Sequence, residues 1–94
     1  MSYAIWKFKL LTRDRQHVLM PAGAEILSAH AQFEDVVIWA RVNVDEPVVV
    51  KREIQVLATG EETDWPHLRF IGTVLLEGGN LVLHVFERLG KQPV

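Results

Sequence analysis

LRFIGTVLLEGGNLVLHVFE, residues 68–87, holds two runs rich in Val, Leu, Ile and Phe on either side of Gly78-Gly79. Glycine reaches the positive φ angles that a tight turn requires, so this dipeptide between two such runs predicts an antiparallel hairpin. With Gly78 and Gly79 as a two-residue loop, Thr73 faces His84, Gly72 faces Val85 and Ile71 faces Phe86. One face then carries Phe70, Val74, Leu76, Leu81, Leu83 and Val85. The other carries Ile71, Leu75, Val82 and Phe86 around Thr73 and His84. Antiparallel sheets usually keep one face wet. This hairpin is apolar on both, which predicts two covers: the rest of the chain on one side, a second body on the other.

Upstream, Ala4, Trp6, Phe8 and Leu10 alternate with Lys7 and Lys9, the period of a half-buried strand. A polar turn at Thr12-Arg13-Asp14-Arg15 leads to a short strand over 16–20. That strand stops at Met20-Pro21-Ala22-Gly23, where proline suits the second turn position and glycine the fourth. Over 24–33, Ile26, Ser28, His30 and Gln32 share one side; Leu27, Ala29, Ala31 and Phe33 share the other. After a turn at Glu34-Asp35, residues 36–44 set Val36, Ile38, Ala40, Val42 and Val44 against Val37, Trp39, Arg41 and Asn43. Residues 48–59 put Ile54, Val56 and Ala58 opposite Lys51, Glu53 and Gln55. Residues 60–67, GEETDWPH, are the longest polar stretch. Helix capping signals are few and alternation is frequent, so no substantial helix is expected. Seven short strands with regular turns predict an all-β antiparallel sandwich or small barrel, one domain over residues 1–94 with 89–94 a loose tail.

The chain is 49% hydrophobic and 23% charged, apolar for its 94 residues. The surplus predicts self-association or a ligand groove. A formal charge of −2 argues against holding a DNA or RNA polymer, while leaving room for a small anion among a few Arg and Lys residues. There is no cysteine, which removes disulfides, thiolate metal sites and thiol nucleophiles. No leader pattern and no membrane-length apolar run is present, so a soluble protein of the cytoplasm is expected.

His17, His30, His67 and His84 are scattered, and no metal is expected from them. His84 reads either as a core histidine bonded to Thr73 or a backbone carbonyl, or as a ligand contact. Ser28 and His30 lie near Glu34 and Asp35, but no nucleophile elbow surrounds the serine. Glu61, Glu62 and Asp64 sit on a solvated loop. Nothing here assembles into catalysis, so no enzyme and no cofactor are expected. Trp39 beside Arg41, and Trp65 near His67 and Arg69, combine an aromatic face for a base with guanidinium groups for phosphate. Trp39 also reads as a core or interface residue.

Several segments together resemble a family of small phage and prophage proteins. They are Ile5-Trp6-Lys7-Phe8, the run MPAGAEILS at 20–28, Gln32, Trp39-Ala40, Thr59-Gly60, Phe70-Ile71-Gly72-Thr73, Gly78, Leu81-Val82 and His84-Val85-Phe86-Glu87. The match covers about Ile5 to Glu87. Family members often carry a histidine after the Thr-Gly step; Glu61 stands there, so no role of that histidine carries over. The resemblance implies a phage-encoded counter-defence protein acting in the host cytoplasm. The expected function is an anti-CBASS sponge, a homo-oligomer (dimer or tetramer) that sequesters a cyclic dinucleotide such as cGAMP without hydrolysing it. Trp39, Trp65 or Phe33 would stack on bases, Arg41 and Arg69 would hold phosphates, and Gln32, Thr73 and His84 would bond to base edges or ribose. The rival expectation is a protein–protein interaction module, either an inhibitor of a host protein or a virion component.

Overall fold

Seven strands alternate with short turns in the computed structural model, which describes residues 1–11 and 14–90. They are β1 (Tyr3–Lys9), β2 (Arg15–Pro21), β3 (Glu25–Gln32), β4 (Asp35–Asn43), β5 (Val49–Ala58), β6 (Leu68–Leu76) and β7 (Leu81–Arg88). Thr12 and Arg13 of the expected polar turn, and 91–94 of the expected tail, lie outside the described residues. All pairings are antiparallel, in a three-stranded sheet β1-β4-β3 and a four-stranded sheet β2-β5-β7-β6. The Cα envelope measures 42 × 39 × 16 Å. Two sheets stacked about 10 Å apart give such a slab, and a closed barrel does not. The fold is an all-β sandwich.

The core is built as the alternation dictates. Ile38, Ala40 and Val42 of β4 face Met20, Ile54, Val74 and Val85 of the opposite sheet, all at most 1% exposed. At one side of the sandwich the sheet edges β3 and β6 meet. A Cβ on Gly72 would stand 3.0 Å from the carbonyl oxygen of Ala29, so only a hydrogen there lets the two backbones approach so closely. Strand β1 pairs with β4 alone. Its Trp6, opposite the fully buried Ala40, is on the core-facing side yet remains 40% exposed.

Four details differ from the sequence expectation. The hairpin loop is not Gly78-Gly79 alone: Glu77 (φ 52), Gly78 (φ 66) and Gly79 (φ 96) form a 3-10 turn closed by Asn80 N–H bonding to Glu77 C=O at 3.2 Å. Its ends still pair Leu76 with Leu81, so Thr73 faces His84 and Gly72 faces Val85 as expected. Beyond Gly72 a bulge leaves Ile71 unpaired and sets Phe70 opposite Phe86. Phe70 therefore turns outward and Ile71 packs on the core, the reverse of the expected faces. A second bulge, between Ile26 and Ser28, turns Ile26 to the core and leaves Leu27 out. The turn after β2 is displaced by one residue: Ala24 N–H bonds to Pro21 C=O at 3.1 Å, with Gly23 (φ 79) third rather than fourth.

Candidate functional site

Residues 59–67, between β5 and β6, lie against the outer face of the four-stranded sheet. Thr59 Oγ1 is 2.7 Å from His84 Nε2, and Thr73 Oγ1 is 3.0 Å from Nδ1 of the same ring. Thr63 donates to Gln55 Oε1 at 2.7 Å, and the Glu61 carboxylate caps Ala58 N–H at 3.0 Å. These latches explain why Gln55, on an outer face, is wholly buried. His84 is thus the bonded histidine of the plainer expectation. Both ring nitrogens are held by threonine hydroxyls, so it has none to offer a ligand while those bonds stand.

The loop delivers Trp65 to the end of the sheet where β2, β5 and β7 run side by side. The guanidinium carbons of Arg15 and Arg88 lie 4.6 and 5.0 Å from its ring centroid. Leu11, Gln16, His17 and Glu53 complete a groove of about 490 Å³. Leu11 is held by two bonds to the Gln16 amide, each 2.8 Å. Arg15 pairs with Asp64, Arg88 donates to Glu53 at 3.0 Å, and His17 Nε2 stands 3.7 Å from the same carboxylate. Both partners of the Arg15–Asp64 pair are well exposed, so it is worth at most about 1 kcal/mol. Exchanging that carboxylate for a phosphate costs little. The groove holds an indole with two guanidinium groups over its ring, and a base that stacks there takes the place of the loosely held Arg15.

The expected site residues do not converge within one chain. Trp65, Thr73 and His84 share the outer face of the four-stranded sheet. Gln32, Trp39 and Arg41 lie on the outer face of the three-stranded sheet, across the slab. There Lys7 donates to Gln32 Oε1 at 2.7 Å, Trp39 is half-buried between Lys7 and Ser28 in register, and Arg41 stacks on Tyr3 at 3.9 Å. Arg69 is bound to the buried Glu87 at 2.6 Å, beside Arg52. Phe33, 92% exposed with φ 57, stands at the β3–β4 turn and is no part of the groove lining. Arg15, Arg88, Glu53 and Tyr3 were not singled out by sequence. Arg15 and His17 alternate outward along β2, but nothing local says that a loop fifty residues on will lay an indole against Arg15 and Arg88. Among the described residues no three His, Asp or Glu side chains converge as a metal site.

Fold and groove define a class, the two-sheet β-sandwich carrying an aromatic–cation cleft on one outer face. Within that class the chain belongs to the DUF7352 family, a domain of unknown function whose model matches residues 1–94. No curated protein and no solved structure matches it.

Proposed function

We propose that this protein is a non-catalytic, phage-encoded sponge: a homo-oligomer that sequesters a cyclic dinucleotide immune signal, such as cGAMP, in the host cytoplasm. The observation that supports this reading most directly is the Arg15–Trp65–Arg88 cluster in its groove. A base stacks on an indole for roughly 1–3 kcal/mol, and guanidinium groups bind phosphate in a fork. The groove volume of about 490 Å³ falls in the range of small-molecule sites. An open groove releases its guest quickly, so tight sequestration calls for a second copy to close it. Calorimetry with 3′,5′-linked cyclic dinucleotides tests the proposal, followed by heating and recovery of the unaltered nucleotide. Trp65→Ala should weaken binding by roughly 1–3 kcal/mol. No affinity tighter than about 10 µM for the natural chain would end the reading.

A second reading, a protein–protein interaction module, is favoured by the outer face of the hairpin. Phe70 and Leu75 are 56% and 57% exposed there, with Phe86 edge-on to Phe70 at 5.6 Å. Its mark would be a stoichiometric host partner retained from lysate by the natural chain and lost with Leu75→Asp.

A further inference from the structure

The sandwich has four edge strands, β1 and β3 in one sheet and β2 and β6 in the other. Three are blunted in ways that natural sheets use against edge pairing. β2 ends in Pro21, β3 is bulged between Ile26 and Ser28, and β6 is bulged between Phe70 and Gly72 while stacking on β3. β1 has neither proline nor bulge, its defence being Lys7 and Lys9 alone, and its ladder to β4 runs unbroken from Tyr3 to Lys9. Leu10 N–H bonds to Val36 C=O at 2.9 Å, and Val44 N–H to Ser2 C=O at 3.0 Å. Even-numbered residues of β1 therefore aim their backbone groups at β4. The alternation of an antiparallel ladder turns those of Tyr3, Ile5, Lys7 and Lys9 outward, and no described residue pairs with them. Tyr3, Ile5 and Trp6 are 49%, 54% and 40% exposed along the same strand.

We propose that two copies of the chain join edge to edge through β1, antiparallel about a two-fold axis at Trp6, making one six-stranded sheet from two of three. The register follows from elimination. Directly opposite residues share a face, so the core-side set Ala4, Trp6 and Phe8 must meet itself, and the axis must pass through a residue. An axis at Lys7 sets lysine against lysine, which repels. An axis at Ile5 leaves Phe8 and Lys9 beyond the partner strand. An axis at Trp6 pairs the whole strand: Trp6 with Trp6, Ala4 with Phe8, Ile5 with Lys7, and Tyr3 with Lys9, a cation beside a ring. The outward backbone groups fall in phase as well. Ile5 and the partner's Lys7 exchange both bonds, as do Tyr3 and the partner's Lys9, while the two Trp6 residues form a non-hydrogen-bonded pair with Cα atoms about 4.5 Å apart. The two indoles then cover each other. This inference rests on the oligomeric half of the reading above and on no ligand.

Since the chain has no cysteine, a single introduced thiol reads the register. Trp6→Cys places two Cα atoms within the roughly 4.4–6.8 Å of a disulfide, whereas Ile5→Cys meets its own copy two residues off, beyond about 7 Å. Light scattering of the natural chain should give twice the 10.7 kDa chain mass. Mild oxidation should lock Trp6→Cys into a covalent dimer, with about tenfold less from Ile5→Cys on that distance argument. Ile5→Pro deletes an outward donor that β4 does not use, so it should keep the circular dichroism of the natural chain and fall to single-chain mass. A monomeric natural chain, equal cross-linking at positions 5 and 6, or a dimer that survives Ile5→Pro and dissolves with Leu75→Asp would each overturn the proposal. A dimer that binds no nucleotide sinks the sponge reading alone, while a monomer that binds one sinks the edge together with the oligomeric half of that reading and leaves nucleotide binding standing.

Discussion

Glu87 is 5% exposed and accepts hydrogen bonds from both Arg52 and Arg69, while Arg52 also donates to the Ala24 carbonyl at 2.8 Å. The carboxylate thus ties β5, β6 and β7 to the start of β3, at the mouth of the core. Removing one member of a buried pair strands the other charge, which costs about 3–5 kcal/mol. Glu87→Ala should lose that much, because the Arg52 side chain is only 17% exposed and cannot turn to water. Arg69 is half exposed, so Arg69→Ala should lose about 1 kcal/mol or less. Urea midpoints at equal slopes measure both, and equal losses would mean that Glu87 is not the buried hub. Sequence reading assigned Arg69 to a phosphate because it stands near Trp65 in the chain. Nothing local showed that Glu87, on a strand of apolar alternation, would claim it.

At the scale of elements, the hairpin and the 59–67 loop behave as one unit because His84 bonds to a threonine in each. A neutral hydrogen bond contributes about 0.5–1.5 kcal/mol, so His84→Ala should cost roughly 1–3 kcal/mol for the pair. Hydrogen exchange should quicken across 59–67 while Ile54 and Val85 in the core stay protected. Unchanged exchange in the loop would show that Thr63–Gln55 and the Trp65 stack hold it unaided. Every strand was legible from alternation to within about two residues. The faces of Phe70, Ile71 and Ile26 were not. Each lies at a bulge, and a bulge flips the pattern wherever a pairing partner skips a residue, which depends on the partner strand and not on local sequence. The two bulged strands are the two that touch across Gly72 and Ala29, where the backbones come too close for side chains to stand between.

For the whole molecule, the slab leaves Leu75 more than half exposed and Phe70 likewise, so a single copy keeps apolar sheet in water. An edge-paired dimer adds ordered backbone without covering that face, so closing the groove over a guest needs a further contact between copies through it. Because association favours the folded state by mass action, the thermal midpoint should rise with protein concentration. A midpoint independent of concentration over two decades would mean that folding and association are uncoupled. If the sponge proposal holds, added salt should raise the calorimetric Kd at the Arg15–Trp65–Arg88 groove, whose Arg15 charge is exposed and Arg88 partly so, and a salt-independent Kd would place the ligand elsewhere.

The amino-acid order on its own fixed the all-β class, the seven strands, the hairpin register around Thr73 and His84, and the absence of thiol chemistry. These follow from period-two burial and turn geometry, which act over neighbouring residues. The tertiary structure alone decided sandwich over barrel, split the expected ligand residues between two opposite faces, and put Trp65 against Arg15 and Arg88. Those outcomes hang on which sheet edges stack and on where a long polar loop lands, and contacts between residues so far apart in the chain leave no periodic trace in it.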